Sequence, residues 1–233
     1  MTEVVVLIGF YLIILLYSII IHEVMHGLAA LRLGDLTAKY AGRLTLSPRS
    51  HIDPLGSIVV PLGMLLLSGF QFAFGWAKPV PYNPYNLRDQ RWGPALVAFA
   101  GPVVNIVLAL VAAFVGRMVS IPVSLKVDII TGLRVADWEG VSTAVSGSPS
   151  AIIFLLCAIV IFWNVLLAFF NLLPIPPLDG SKVLFSFFPI SDEKMAIFEQ
   201  FGFFFLVAFV FLFSGFLSGF LGFFWSVFYR LAL

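Results

Sequence analysis

From Val4 to Ile21 the chain carries no charged residue. That is close to the roughly 20 apolar residues a helix needs to cross about 30 Å of hydrocarbon. Two more apolar runs, about 93–118 and 149–173, have the same character. A backbone in lipid must satisfy its own polar groups, which leaves helices or closed barrels. Long runs without strict alternation specify helices. Composition agrees: 61% of residues are hydrophobic and 11% charged, where a soluble domain carries about a quarter. The chain therefore reads as an all-α polytopic membrane protein in the lipid bilayer, one domain over residues 1–233. A net charge of +1 supplies no basic field for nucleic acid. Cys157, the only cysteine, lies in an apolar run and reads as core packing. The first run lacks a basic n-region and continues into a polar motif, so it reads as a retained helix and not a signal peptide.

The first helix is expected over about Val4–Leu33, with Gly34 as its stop. Residues 35–54 are polar. Arg43, Leu44, Thr45 and Leu46 alternate, which predicts a strand and a short membrane-associated β-hairpin after the first helix. Residues 55–74 are apolar but broken by Gly56, Pro61, Gly63 and Gly69, and are expected to enter the membrane and return. A proline-rich loop fills 75–92, and 119–149 is expected outside the membrane. The Phe-rich tail, about 195–233, is expected to break at its glycines into two pieces. Its Gly215 and Gly219 are expected to pack within a monomer or weak homo-oligomer. Arg32, Lys39, Arg43 and Arg49, then Lys78, Arg88 and Arg91, put both early loops on the cytoplasmic side. The N-terminus is then external.

The chemistry begins at HEVMH, residues 22–26. Positions i and i+4 of a helix share a face, so His22 and His26 can offer two imidazoles to one metal. Glu23 beside them can take a proton from a bound water. Ionisable groups on an apolar helix are costly, and they mark metal sites or water paths. Catalytic zinc takes a third protein ligand and keeps one position open. The candidates are His51 and the acids near the membrane. Asp179 is favoured, because Pro176–Pro177 forces extended chain before it and Gly180 permits close approach after it. Asn171 can donate an amide to a developing oxyanion or bond between helices. Asn105 can orient substrate or its neighbouring helix. Asn164 reads as packing.

HEVMH at 22–26 with NLLPIPPLDG at 171–180 resembles the site-2 protease family of intramembrane metalloproteases. AGPVVNIVLAL, 100–110, is similar to that family's middle core helix. FGWAKPVPYNP, 74–84, is similar to a loop of its compact prokaryotic members. The resemblance covers about residues 4–185, the catalytic core. It implies one Zn2+ per chain on His22, His26 and Asp179, with Glu23 as acid/base and Asn171 positioning substrate or stabilising the oxyanion. It implies a transmembrane or membrane-associated protein substrate, and the loop charges are expected to set the site in the cytoplasmic half of the cell membrane. An edge strand containing Leu44 and Thr45 is expected to hold that substrate extended. A membrane metal-binding or transport protein is the alternative. It would spread ligands over several helices and leave Glu23 without a task.

Overall fold

A computed structural model describes residues 2–67, 75, 77–188 and 190–233. Among them, four helices are long and apolar enough to cross a membrane: α1 (Thr2–Arg32), α4 (Gly93–Met118), α7 (Pro149–Asn171) and α10 (Ser214–Ala232). Between them lie α2 (Thr37–Tyr40), α3 (Val60–Leu67), α5 (Val123–Arg134), α6 (Trp138–Val145), α8 (Asp179–Phe187) and α9 (Asp192–Leu212). Start signals match local chemistry. Ser148 accepts the Ala151 N–H and precedes Pro149, which opens α7 with its missing donor at a place where none is needed.

α4 lies at the centre. Its Gly101, Ala109, Ala112, Ala113 and Gly116 are buried, and these small residues let the neighbouring helices come close. α1 and α7 run parallel: the Trp163 indole N–H donates to the Tyr11 carbonyl, and the Asn164 amide donates to Ser18 Oγ. α10 runs opposite to α7, with the Trp225 indole on the Phe162 carbonyl and the Tyr229 hydroxyl on the Ala158 carbonyl. The bundle therefore has two distinct ends. α1 and α7 finish, and α4 and α10 begin, at one. α5 and α6 cover the other.

Two expectations are corrected. No strand is present among the described residues, so the β-hairpin is not found. The alternation over Arg43–Leu46 spans four residues and meets no partner strand among the described residues, and its polar groups are taken up locally. The Arg43 N–H closes a turn on the Ala38 carbonyl, Thr45 Oγ1 accepts the Ser47 N–H, and the Thr45 carbonyl accepts from His51 Nε2. Leu44 packs sideways, where a Cβ on Gly27 would meet its Cδ2 at 2.6 Å. The tail does fall into two helices, but the break is at Phe213. Gly215 and Gly219 lie inside α10 facing open space, not a packed neighbour.

The apolar stretch Pro54–Leu67, a π-helical turn running into α3, is too short to span. Residues 68–74, including the expected break at Gly69, lie outside the described residues. At Gly75 the chain is again against Pro61 and Gly56, and the Lys78 N–H bonds the His51 carbonyl. Both early loops therefore sit at the same end of the bundle. The polar segment 119–149 forms α5 and α6 at the opposite end.

Candidate active site

Helical spacing puts His22 and His26 on the buried face of α1. Their outer nitrogens are both held. His26 Nδ1 is 2.7 Å from the Val97 carbonyl of α4, which can only accept. His22 Nδ1 is 2.5 Å from Asn105 Oδ1. The Asn105 amide is itself oriented, since its Nδ2 donates to Asn164 Oδ1 and reaches the Ser18 carbonyl. Asn164 is oriented in turn by donating to the Val160 carbonyl and Ser18 Oγ. Each imidazole therefore carries a proton on Nδ1, and in the neutral ring Nε2 has a lone pair to offer.

Those two lone pairs converge on a carboxylate. Asp179 Oδ2 lies 3.1 Å from His22 Nε2 and 3.2 Å from His26 Nε2. With both rings neutral these are three acceptors, which repel one another unless a cation sits among them. Ligand atoms about 2.0–2.1 Å from a tetrahedral zinc are separated by roughly 3.3 Å, so the donor set fits the metal. A Glu23 carboxylate oxygen is within 4.8 Å of ring nitrogens of both histidines. Its Oε2 also accepts the Val80 N–H at 2.9 Å.

The surrounding backbone is built for close approach. A Cβ at Gly101 would stand 2.6 Å from His22 Cε1 and from His26 Cε1 and Nε2. Pro102 follows and leaves the Ala98 carbonyl without its helical donor, and Ala98 lines the site. Gly180 packs on the Leu172 and Leu173 carbonyls, where a side chain would not fit. That contact seats Asp179 as the first residue of α8, an end that favours negative charge. Buried Asp35, at the end of α1, accepts from the Thr37 N–H and hydroxyl, the Asn83 N–H and the Asn86 amide. It thereby anchors the loop that delivers Val80. Burial pushes the Asp35 carboxyl up, but these hydrogen bonds outweigh it and hold it below the usual carboxylate range.

A cavity of about 180 Å3 opens on the cluster, lined by His22, Glu23, His26 and Asp179 together with Asn171, Tyr82 and Lys182. Of the residues singled out from sequence, His22, Glu23, His26, Asp179 and Asn171 meet here. Asn171 also donates from Nδ2 to the Leu167 carbonyl. Asn105 is wholly buried behind His22 and does not line the cavity. Leu44 and Thr45 lie beside α1 as part of a turn, with Leu44 next to Gly27. His51 is bonded to the Thr45 carbonyl, outside the cluster. Sequence reasoning missed the Val80 N–H, Tyr82 and Lys182, and it read Asn164 as packing. A backbone donor has no side-chain signature.

A family model described as Peptidase family M50 matches residues 10–213. YwhC of Bacillus subtilis, described as a candidate zinc metalloprotease, is 36% identical over 203 residues, covering 86% of this chain and 80% of that protein. Rip2 of Mycolicibacterium smegmatis, with the same description, is 28% identical over 193 residues, or 82% of this chain and 62% of that protein. Rip2 of Mycobacterium tuberculosis strain H37Rv is 29% identical with the same coverage. The chain thus spans less than two thirds of the mycobacterial relatives. No solved structure matches the chain.

Proposed function

The chain belongs to peptidase family M50, the site-2 protease family, and from that premise we propose a division of labour among its residues. The protein is a membrane zinc metalloprotease that hydrolyses peptide bonds of membrane-protein substrates within or near the bilayer. His22, His26 and Asp179 hold the zinc. When bound, zinc polarises the scissile carbonyl and lowers the pKa of water toward 7. Glu23 takes the water proton on its carboxylate and returns it to the departing amine. The Val80 N–H keeps that carboxylate aimed into the cavity. Asn171 offers its remaining amide hydrogen to the substrate carbonyl as negative charge develops there. Asn105 acts through His22, fixing its tautomer and ring plane.

The observation that carries this reading is the convergence of two Nε2 lone pairs and one carboxylate oxygen, with both Nδ1 atoms held from behind. Glu23→Gln should retain about one zinc per chain and lose activity by about 10²–10⁴-fold. Asp179→Ala should lose zinc. Retention by Asp179→Ala together with loss by His51→Ala would sink the ligand set.

For orientation, Arg32, Lys39, Arg43, Arg49, Lys78, Arg88, Arg91 and Lys182 lie at the metal end, against Arg117, Lys126, Arg134 and Arg230 at the other. Retention of such charges on the cytoplasmic side supports a site in the cytoplasmic half. Cysteines introduced at exposed Tyr40 and Tyr85 should label from the cytoplasm, and one at exposed Val135 from outside. Labelling of all three from one side would overturn the arrangement.

A further inference from the structure

Lys182 has no task in the reading above, yet it lines the same cavity as the metal cluster. It sits on α8, three residues after Asp179. Its ammonium lies 5.5 Å from the centre of the Tyr82 ring, which belongs to the loop carrying Val80. It does not serve to neutralise the cluster: among the described residues, no carboxylate comes within 4.0 Å of it. Nor is neutralisation needed, because a divalent zinc balances the formal charges of Asp179 and Glu23. Lys182 therefore leaves the cavity with one positive charge in excess. A lysine on this lining that meets a ring but no carboxylate keeps its charge for a group that arrives with the ligand.

We propose that Lys182 is a specificity-determining residue, whose ammonium, braced by the Tyr82 ring, takes the carboxylate of a substrate aspartate or glutamate close to the scissile bond. The inference rests on the protease reading and adds a substrate class to it. Without Lys182, the zinc-balanced cavity would carry no net charge and would offer an acidic side chain no counter-charge. With it, a substrate bearing one acidic residue completes the charge balance. The pairing exists equally before and during bond cleavage, so it should act through KM and not through kcat.

The test uses the zinc-loaded full chain in detergent and a quenched-fluorescent peptide library randomised around its centre, with cut sites read by mass spectrometry. Cut peptides should be enriched in Asp or Glu at one fixed position relative to the cut. A resynthesised Glu peptide should exceed its Gln twin by about tenfold in kcat/KM, with the difference in KM. Lys182→Met should bring that ratio to about one, and Lys182→Glu should reverse it in favour of a Lys peptide. Zinc content near one shows that each variant is folded. A Glu-to-Gln ratio that stays the same in all three proteins would overturn the proposal. So would an equal fall in kcat for every peptide, since that would make Lys182 a group acting on the reacting atoms. In both of those outcomes cleavage continues and the protease reading stands. Zinc-loaded wild-type protein that cuts nothing in the library would overturn both together.

Discussion

At the end of the bundle covered by α5 and α6, Lys126 is buried under Phe154, with its ammonium on the Gly116 carbonyl at 2.9 Å and the Ala232 carbonyl at 3.3 Å. These carbonyls close α4 and α10, where the helix dipole welcomes a cation. Burial, and then the charge of Arg117, push the Lys126 pKa down. At the other end, His22 and His26 are buried to a similar degree. There each ring has one nitrogen satisfied and the other presenting a lone pair toward a shared point. The difference between the two ends is direction. A buried polar group with its capacity filled by backbone holds helices together. A set whose remaining capacity converges calls for an ion or a substrate.

The strongest way to break this contrast is to remove the support behind one histidine. Asn105→Ala deletes the acceptor on His22 Nδ1, and loss of such a partner costs about 10–100-fold in metal affinity. Competition with a chelator should show that weakening while the helical content stays intact. Unchanged zinc affinity would mean that the asparagine network only packs.

A smaller effect is expected from the opposite end. Lys126→Met removes a donor from the helix termini and should destabilise by about 1–3 kcal/mol, read as a lower Tm. Zinc content and kcat of the folded protein should not move. If they did, the two ends would be coupled and the contrast would fail.

The smallest effect is expected from Asp35→Asn, which weakens the anchor of the Val80 loop by about 1 kcal/mol at neutral pH. The Asp35 pKa is lowered in the fold, so its contribution is present above the unfolded value of about 4 and is lost as pH falls through the folded value. The gap in stability between wild type and variant should therefore hold at neutral pH and close on acidification below about pH 4. A gap that widens with acid would contradict the sign of the shift.

Which parts of this protein could be read from sequence follows from the range of the forces involved. Apolar runs identify the spans because transfer into lipid depends on each residue's own chemistry. The HEVMH spacing puts two imidazoles on one face because helical geometry is local. The mounting of Asp179 between Pro177 and Gly180 was legible for the same reason. The strand over Arg43–Leu46 was not decided locally. Alternation is a permission to pair, and among the described residues no partner strand stands there; His51 and Ser47 take the polar groups of Thr45. The tautomers of His22 and His26 depend on Val97 and Asn105, more than seventy residues away. The aim of Glu23 depends on the N–H of Val80, a group that every residue but proline possesses. Sequence by itself determined the solvent, the long apolar helices and the spacing that makes His22, His26 and Asp179 candidate ligands; only the tertiary structure decided how those groups face one another and which cation, Lys182, shares their cavity, because orientation is set by contacts between segments that the chain brings together only on folding.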